Sequence, residues 1–97
     1  MQTVELQVTD TLYEPEFTKA QIAAQLNCSV ISVGRYVKFG ADYIPDLLKY
    51  IGTDGNLNGS RILSSDIAYL EEIQDLKKSF GARRVKQILE RKYVNVS

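Results

Sequence analysis

The residue patterning is that of a mainly α-helical domain with small β elements, on three grounds. Across residues 17–40 apolar residues recur at three- and four-residue spacing in two short runs, parted by Asn27 and Cys28. Across residues 65–91 a longer run and a shorter one repeat that spacing. Alternating, β-type patterning is confined to residues 3–8, to apolar pieces flanking a Gly/Asn loop and to the last few residues. Four helices, a wing hairpin and short terminal strands follow, in one domain over residues 1–97: a winged helix-turn-helix.

Residues 1–12 form an N-terminal strand or arm, in which Val4, Leu6 and Val8 alternate with Glu5 and Gln7. Residues 9–16 are turn-like and acidic, and Pro15 makes Glu14 extended. Thr18 is a good N-cap with Gln21 three residues on, a capping-box pattern. Ile22, Ala23 and Leu26 then share one face of a helix over residues 19–26. Asn27 tolerates a left-handed backbone and ends that helix. Ser29 caps the next one, which runs from about Val30 to Phe39, with Gly40 as its C-terminal glycine. Ile22, Ala23, Leu26, Cys28, Val33 and either Tyr36 or Val37 turn toward a common core.

Residues 46–63 hold the wing. The stretch GTDGNLNG has three glycines and two asparagines, so it is a loop. LLKYI before it and SRIL after it pair as hairpin arms, with Asn56 and Asn58 at the tip. The alternative is a short helix over residues 46–51, started near Pro45 and ended at Gly52. Ser64 or Ser65 caps a third helix, with Asp66 in its first turn. Its apolar stripe is Ile67, Leu70, Ile73, Leu76 and Phe80, and Gly81 stops it. A fourth helix runs over residues 82–91 with Val85, Ile88 and Leu89 inward. Residues 93–97 read as a C-terminal strand.

Composition excludes several classes. An apolar share of 44% is ordinary for a soluble globular domain. No apolar run is long enough to span a membrane, and no signal segment opens the chain, so a cytoplasmic protein is expected. The single cysteine, Cys28, has no disulfide partner in the chain and reads as core. With no histidine and one cysteine, a zinc site is not expected, and the usual general base is missing. No phosphate loop or nucleophile motif occurs, so no enzyme and no cofactor are expected.

Formal net charge is zero, with 12 acids and 12 bases, but the charges are unevenly placed. Residues 1–16 hold four acids and no base; residues 17–40 hold three bases and no acid. Residues 81–97 hold five bases against one acid. Phosphate binding depends on a local patch rather than the total. The second helix leaves Val30, Ile31, Ser32, Gly34, Arg35 and Lys38 outside, a small, polar and basic set that fits a DNA major groove. Val30, Ile31, Ser32 and Arg35 are the candidate base contacts. Thr18, Lys19, Ser29, Tyr36, Lys38, Lys49, Arg61, Arg83, Arg84 and Lys86 are the candidate backbone contacts.

Taken in order, the segments FTKAQIAAQLNCSVISVGRYV, SRILSSDIAYLEEIQDLKK and SFGARRVKQILE resemble the DNA-binding domain of MerR-family transcription regulators. Excisionase-type winged helices share part of the pattern. The resemblance covers roughly residues 17–91 and implies a winged helix-turn-helix that reads double-stranded DNA. The chain departs from the family in three ways. The arginine that usually follows a Thr-Ile pair falls on Gly34, with Arg35 the nearest base. The wing loop is longer than usual. The long dimerisation helix and effector domain of larger members do not follow the fourth helix, so no small-molecule effector is expected.

The leading expectation is therefore a sequence-specific regulator that binds promoter or operator DNA, as a homodimeric repressor. Val4, Leu6, Val8, Tyr93, Val94 and Val96 are the candidate dimer contacts, since free strand edges invite pairing. The alternatives are a protein-interaction module, such as an antitoxin-like partner, and an architectural or excisionase-type DNA-binding protein.

Overall fold

The computed structural model describes residues 14–57 and 61–94. Most of these residues are helical. The expected N-terminal strand with Val4, Leu6 and Val8, the wing-tip Asn58, and Val96 lie outside the described residues.

Strand β1 (Glu16–Phe17) leads into α1 (Lys19–Leu26) through the expected capping box. Thr18 Oγ1 accepts from the Gln21 N–H at 3.1 Å, and Gln21 Oε1 accepts from the Thr18 N–H at 2.8 Å. Two of the helix's unpaired N-terminal donors are satisfied in this way. Asn27 ends α1 at φ 57°, the left-handed conformation its side chain tolerates. Helix α2 (Val30–Ala41) starts three residues later, with Ser29 Oγ accepting from the Ser32 N–H at 3.0 Å.

Gly40 does not end α2. It is buried one residue inside the helix end. A Cβ there would lie 2.6 Å from Ile73 Cδ1 and 2.7 Å from Leu47 Cδ1. The glycine is used for close approach of the chain, at the usual backbone-entropy cost.

The expected first wing arm is instead a 3₁₀ helix, Pro45–Tyr50, so the alternative reading of this stretch is the observed one. Pro45 at its start pre-sets the backbone, and Leu47 and Tyr50 turn into the core. Residues 51–57 then form a small loop closed by an Ile51–Leu57 bridge and a Gly52 N–H donated to Asn56 O at 2.7 Å. The SRIL arm supplies β2 (Ile62–Leu63), which pairs antiparallel with β1, Glu16 opposite Leu63 and Phe17 opposite Ile62.

Helix α3 (Ser64–Ser79) is not capped by its own serines. Glu14, fifty residues upstream, does this instead: one carboxylate oxygen accepts from the Ser65 N–H at 2.6 Å and the Ser64 hydroxyl at 3.0 Å. A negative charge at a helix N-terminus also suits the helix dipole. Phe80, expected at the end of the apolar stripe, is exposed, because α3 has ended and the chain turns away there. Gly81 precedes α4 (Ala82–Leu89) in an extended conformation at φ −73°; it starts that helix rather than stopping the previous one. α4 continues into a π-helical turn, Glu90–Val94. Tyr93 and Val94 therefore lie in a helical turn, not in a strand. The cause is a tertiary anchor: the Tyr93 hydroxyl donates to Glu72, and its ring meets the Tyr69 ring edge-on at 5.9 Å.

The core is one cluster drawn from every helix. Ile22, Val33, Val37, Ile44, Leu47, Ile62, Leu70, Ile73, Val85 and Leu89 are fully buried. Each such side chain contributes about 1.5–3 kcal/mol by leaving water. Two buried polar groups are paired. Gln74 donates to the Leu26 carbonyl at 2.8 Å, fastening α3 to the end of α1. Asp66 accepts from the Tyr50 hydroxyl at 2.6 Å and pairs with Lys49 at 2.7 Å. The Tyr50 oxygen in turn accepts from the Leu63 N–H at 3.0 Å.

Candidate nucleic-acid interface

The site is built on α2. Val33 and Val37 bury one side of the helix, together with Gly40 and Ala41 at its end. Helical periodicity then turns Ile31, Arg35 and Lys38 outward at i, i+4 and i+7, and all three are exposed. Ile31 is 67% exposed and Val30 47%, high values for side chains of this size. Ser32 is half-buried, and its hydroxyl accepts from the Ser29 hydroxyl at 3.0 Å. Apolar and small groups at the start of α2 are thus followed by the basic Arg35 in its middle and Lys38 in its last turn. No acid occurs anywhere in residues 17–40.

The 51–57 loop leans on this helix. Leu57 Cδ1 would lie 3.1 Å from a Cβ at Gly34, so the glycine is the seat for the leucine. One turn on, Lys38 Nζ donates to Asn56 Oδ1 at 3.5 Å. Asp54 fixes the loop tip by accepting from the Asn56 N–H at 3.0 Å. That backbone bond is the main reason its carboxyl sits below the usual carboxylate range. Asn56 was legible as a loop-tip residue; Leu57, a lone apolar side chain in a Gly/Asn loop, carried no periodic signal.

The remaining candidates divide. Thr18 and Lys19 are half-buried at the start of α1, and Ser29 is exposed at the start of α2. Tyr36 is half-buried, with Lys77 of α3 5.9 Å from its ring centroid and 4.7 Å from that of Phe39. Lys77 is a cation that helical spacing alone did not place beside α2. Arg61 is exposed just before β2. Lys49 is not a wing-arm cation: it lies in the 3₁₀ helix and its ammonium is held by Asp66.

Arg83, Arg84 and Lys86 are exposed on α4, which packs against α3. Arg84 lines an open groove of about 450 Å³ with Gln87, Ile88, Glu90, Arg91 and Lys92. Lys92 also pairs with Glu72 of α3 at 2.6 Å; the hydrogen bond to Glu72 holds its ammonium above the ordinary lysine range. Among the described residues no group of His, Cys, Asp and Glu side chains is placed to hold a metal ion, and no helix is long and apolar enough to cross a membrane. No family model, curated protein or solved structure matches the chain.

Proposed function

We propose that this chain is a sequence-specific double-stranded DNA-binding regulator that works as a homodimeric repressor. The single observation that carries the reading is the outward face of α2: Ile31, Arg35 and Lys38 in one exposed stripe, with Val30 beside them. An α-helix with such a face fits the major groove. Arg35 is the base reader, suited to a guanine edge. Val30 and Ile31 meet thymine methyl groups, and Ser32 completes the set. Lys19, Lys38 and Arg61 contact phosphates, with Thr18, Ser29 and Tyr36 around them and Arg83, Arg84 and Lys86 further out. The 51–57 loop serves as a short wing beside the helix. The likeness of residues 17–91 to MerR-family DNA-binding domains supports this assignment of roles.

The test is a gel-shift titration with fragments upstream of the protein's own gene, at two salt concentrations and against random competitor DNA. A specific shift that weakens steeply with salt is the expected result. The exposure of Val30 and Ile31 also suits a protein partner. Capture of a protein with no shift of any DNA fragment would replace the DNA reading with an interaction-module one.

A further inference from the structure

The chain carries two oppositely charged surfaces on adjoining elements, and neither is accounted for by the DNA-facing side of α2. The first is the groove on α4 and the turn after it. Arg84, Arg91 and Lys92 line it against one acid, Glu90, so it stays net basic, and half-buried Ile88 is its apolar lining residue. The second is on α3. Glu71 and Asp75 are exposed one turn apart, with exposed Ala68 one turn before Glu71. The groove is tied to α3 by one ion pair: Lys92 lines the groove and bonds Glu72, one residue along α3 from Glu71.

We propose that the groove of one copy receives the Ala68–Glu71–Asp75 strip of a second copy, and the reverse, so that the protein dimerises through α3 and α4. An isologous two-fold interface requires each partner to present both halves of the contact, and this chain does. The small Ala68 side chain lets the acidic strip approach Ile88, while Glu71 and Asp75 meet Arg84 and Arg91. Zero formal net charge leaves no long-range repulsion between copies, even though the charges are segregated into patches. A nucleic-acid backbone would match the arginines but offers nothing apolar for Ile88. The inference deepens the dimer part of the functional reading. It moves Arg84 from phosphate contact to subunit contact and replaces terminal strands as the interface.

The experiment is sedimentation equilibrium of the full chain without DNA, so its outcome is independent of any gel shift. Wild type is expected to self-associate, less so as salt rises. The double reversals Arg84→Glu/Arg91→Glu and Glu71→Arg/Asp75→Arg should each weaken the dimer by roughly 10- to 100-fold, since each turns attractive pairs into repulsive ones. Mixed one to one, the two variants should regain wild-type association, because both contacts of the heterodimer are again opposite in charge. All four side chains are exposed, so thermal melting followed by circular dichroism, at a dilution where wild type is monomeric, should be unchanged; the neutral pair Arg84→Gln/Arg91→Gln gives an intermediate loss. A wild type that stays monomeric at every concentration, reversals without effect, or a mixture that stays monomeric would overturn the proposal.

Discussion

Leu57 rests against Gly34, its Cδ1 3.1 Å from the position a Cβ would take. The loop therefore sits on the exposed side of α2 because residue 34 has no side chain. Larger side chains at 34 must displace Leu57. Gly34→Arg, a large such change, should unseat the loop. Faster amide hydrogen exchange across residues 51–57, with α1 and α3 unchanged, is the expected signature. Gly34→Ala should be milder, since the end of a leucine side chain can shift by a few tenths of an ångström and alanine favours the helix by about 1 kcal/mol. A loop as protected in Gly34→Arg as in wild type would show that the seat is not what holds it.

Arg35 is the central test of the functional reading. It is exposed in the middle of the α2 stripe. A bidentate guanine contact predicts that Arg35→Ala loses about 1–3 kcal/mol of specific binding and relaxes preference at one base position. Lys38→Ala should instead weaken binding to all sequences and flatten the salt dependence by about one unit of slope. Quantitative gel shifts on an operator and its single-base variants separate the two patterns. Undiminished operator affinity in Arg35→Ala would remove Arg35 from the base-reading set.

Gly40 makes a prediction about stability alone. Alanine is the better helix former, so an exposed Gly40 would gain from the change. Here the added methyl would lie 2.6 Å from Ile73 Cδ1 and 2.7 Å from Leu47 Cδ1, inside any real carbon contact. Overpacking of this kind costs about 1–3 kcal/mol and should outweigh the propensity gain. Urea denaturation should show Gly40→Ala destabilised, with Gly40→Ala/Ile73→Val recovering part of the loss. An alanine variant more stable than wild type would contradict the close packing of α2 on α3.

What was legible in the sequence was what short-range chemistry decides. Thr18 with Gln21, Ser29, and the left-handed Asn27 are all local signals, and each forms as its residue type dictates. The outward stripe of α2 was legible for the same reason, since burying Val33 and Val37 leaves Ile31, Arg35 and Lys38 outside. Distant partners were not legible. Nothing in the spacing announced that Glu14 would cap α3, that Gly40 was a contact point rather than a helix end, or that Asp66 would hold Lys49. The LLKYI run was ambiguous because five residues suit either period; Pro45 was the local sign of the 3₁₀ helix, and tertiary burial of Leu47 and Tyr50 completes it.

Glu14 gives the molecule an acid-sensitive fastening. Hydrogen bonds from Ser65, with a further one from Ser64, hold its carboxyl below the ordinary value of 4.5. These bonds favour the carboxylate over the neutral acid. A folded-state value lower than the unfolded one means the contribution is fully present above the unfolded value and is lost as pH falls through the folded one. Glu14→Gln keeps an acceptor but no charge, so it should be less stable than wild type at neutral pH. The gap between the two should then close as pH drops below 4.5, because protonation makes wild type resemble the variant. Thermal melts of both proteins across that range read this directly. A gap that stays constant down to the acid limit would mean that Glu14 acts through packing of residues 14–16 on β2, not through its charge at the start of α3.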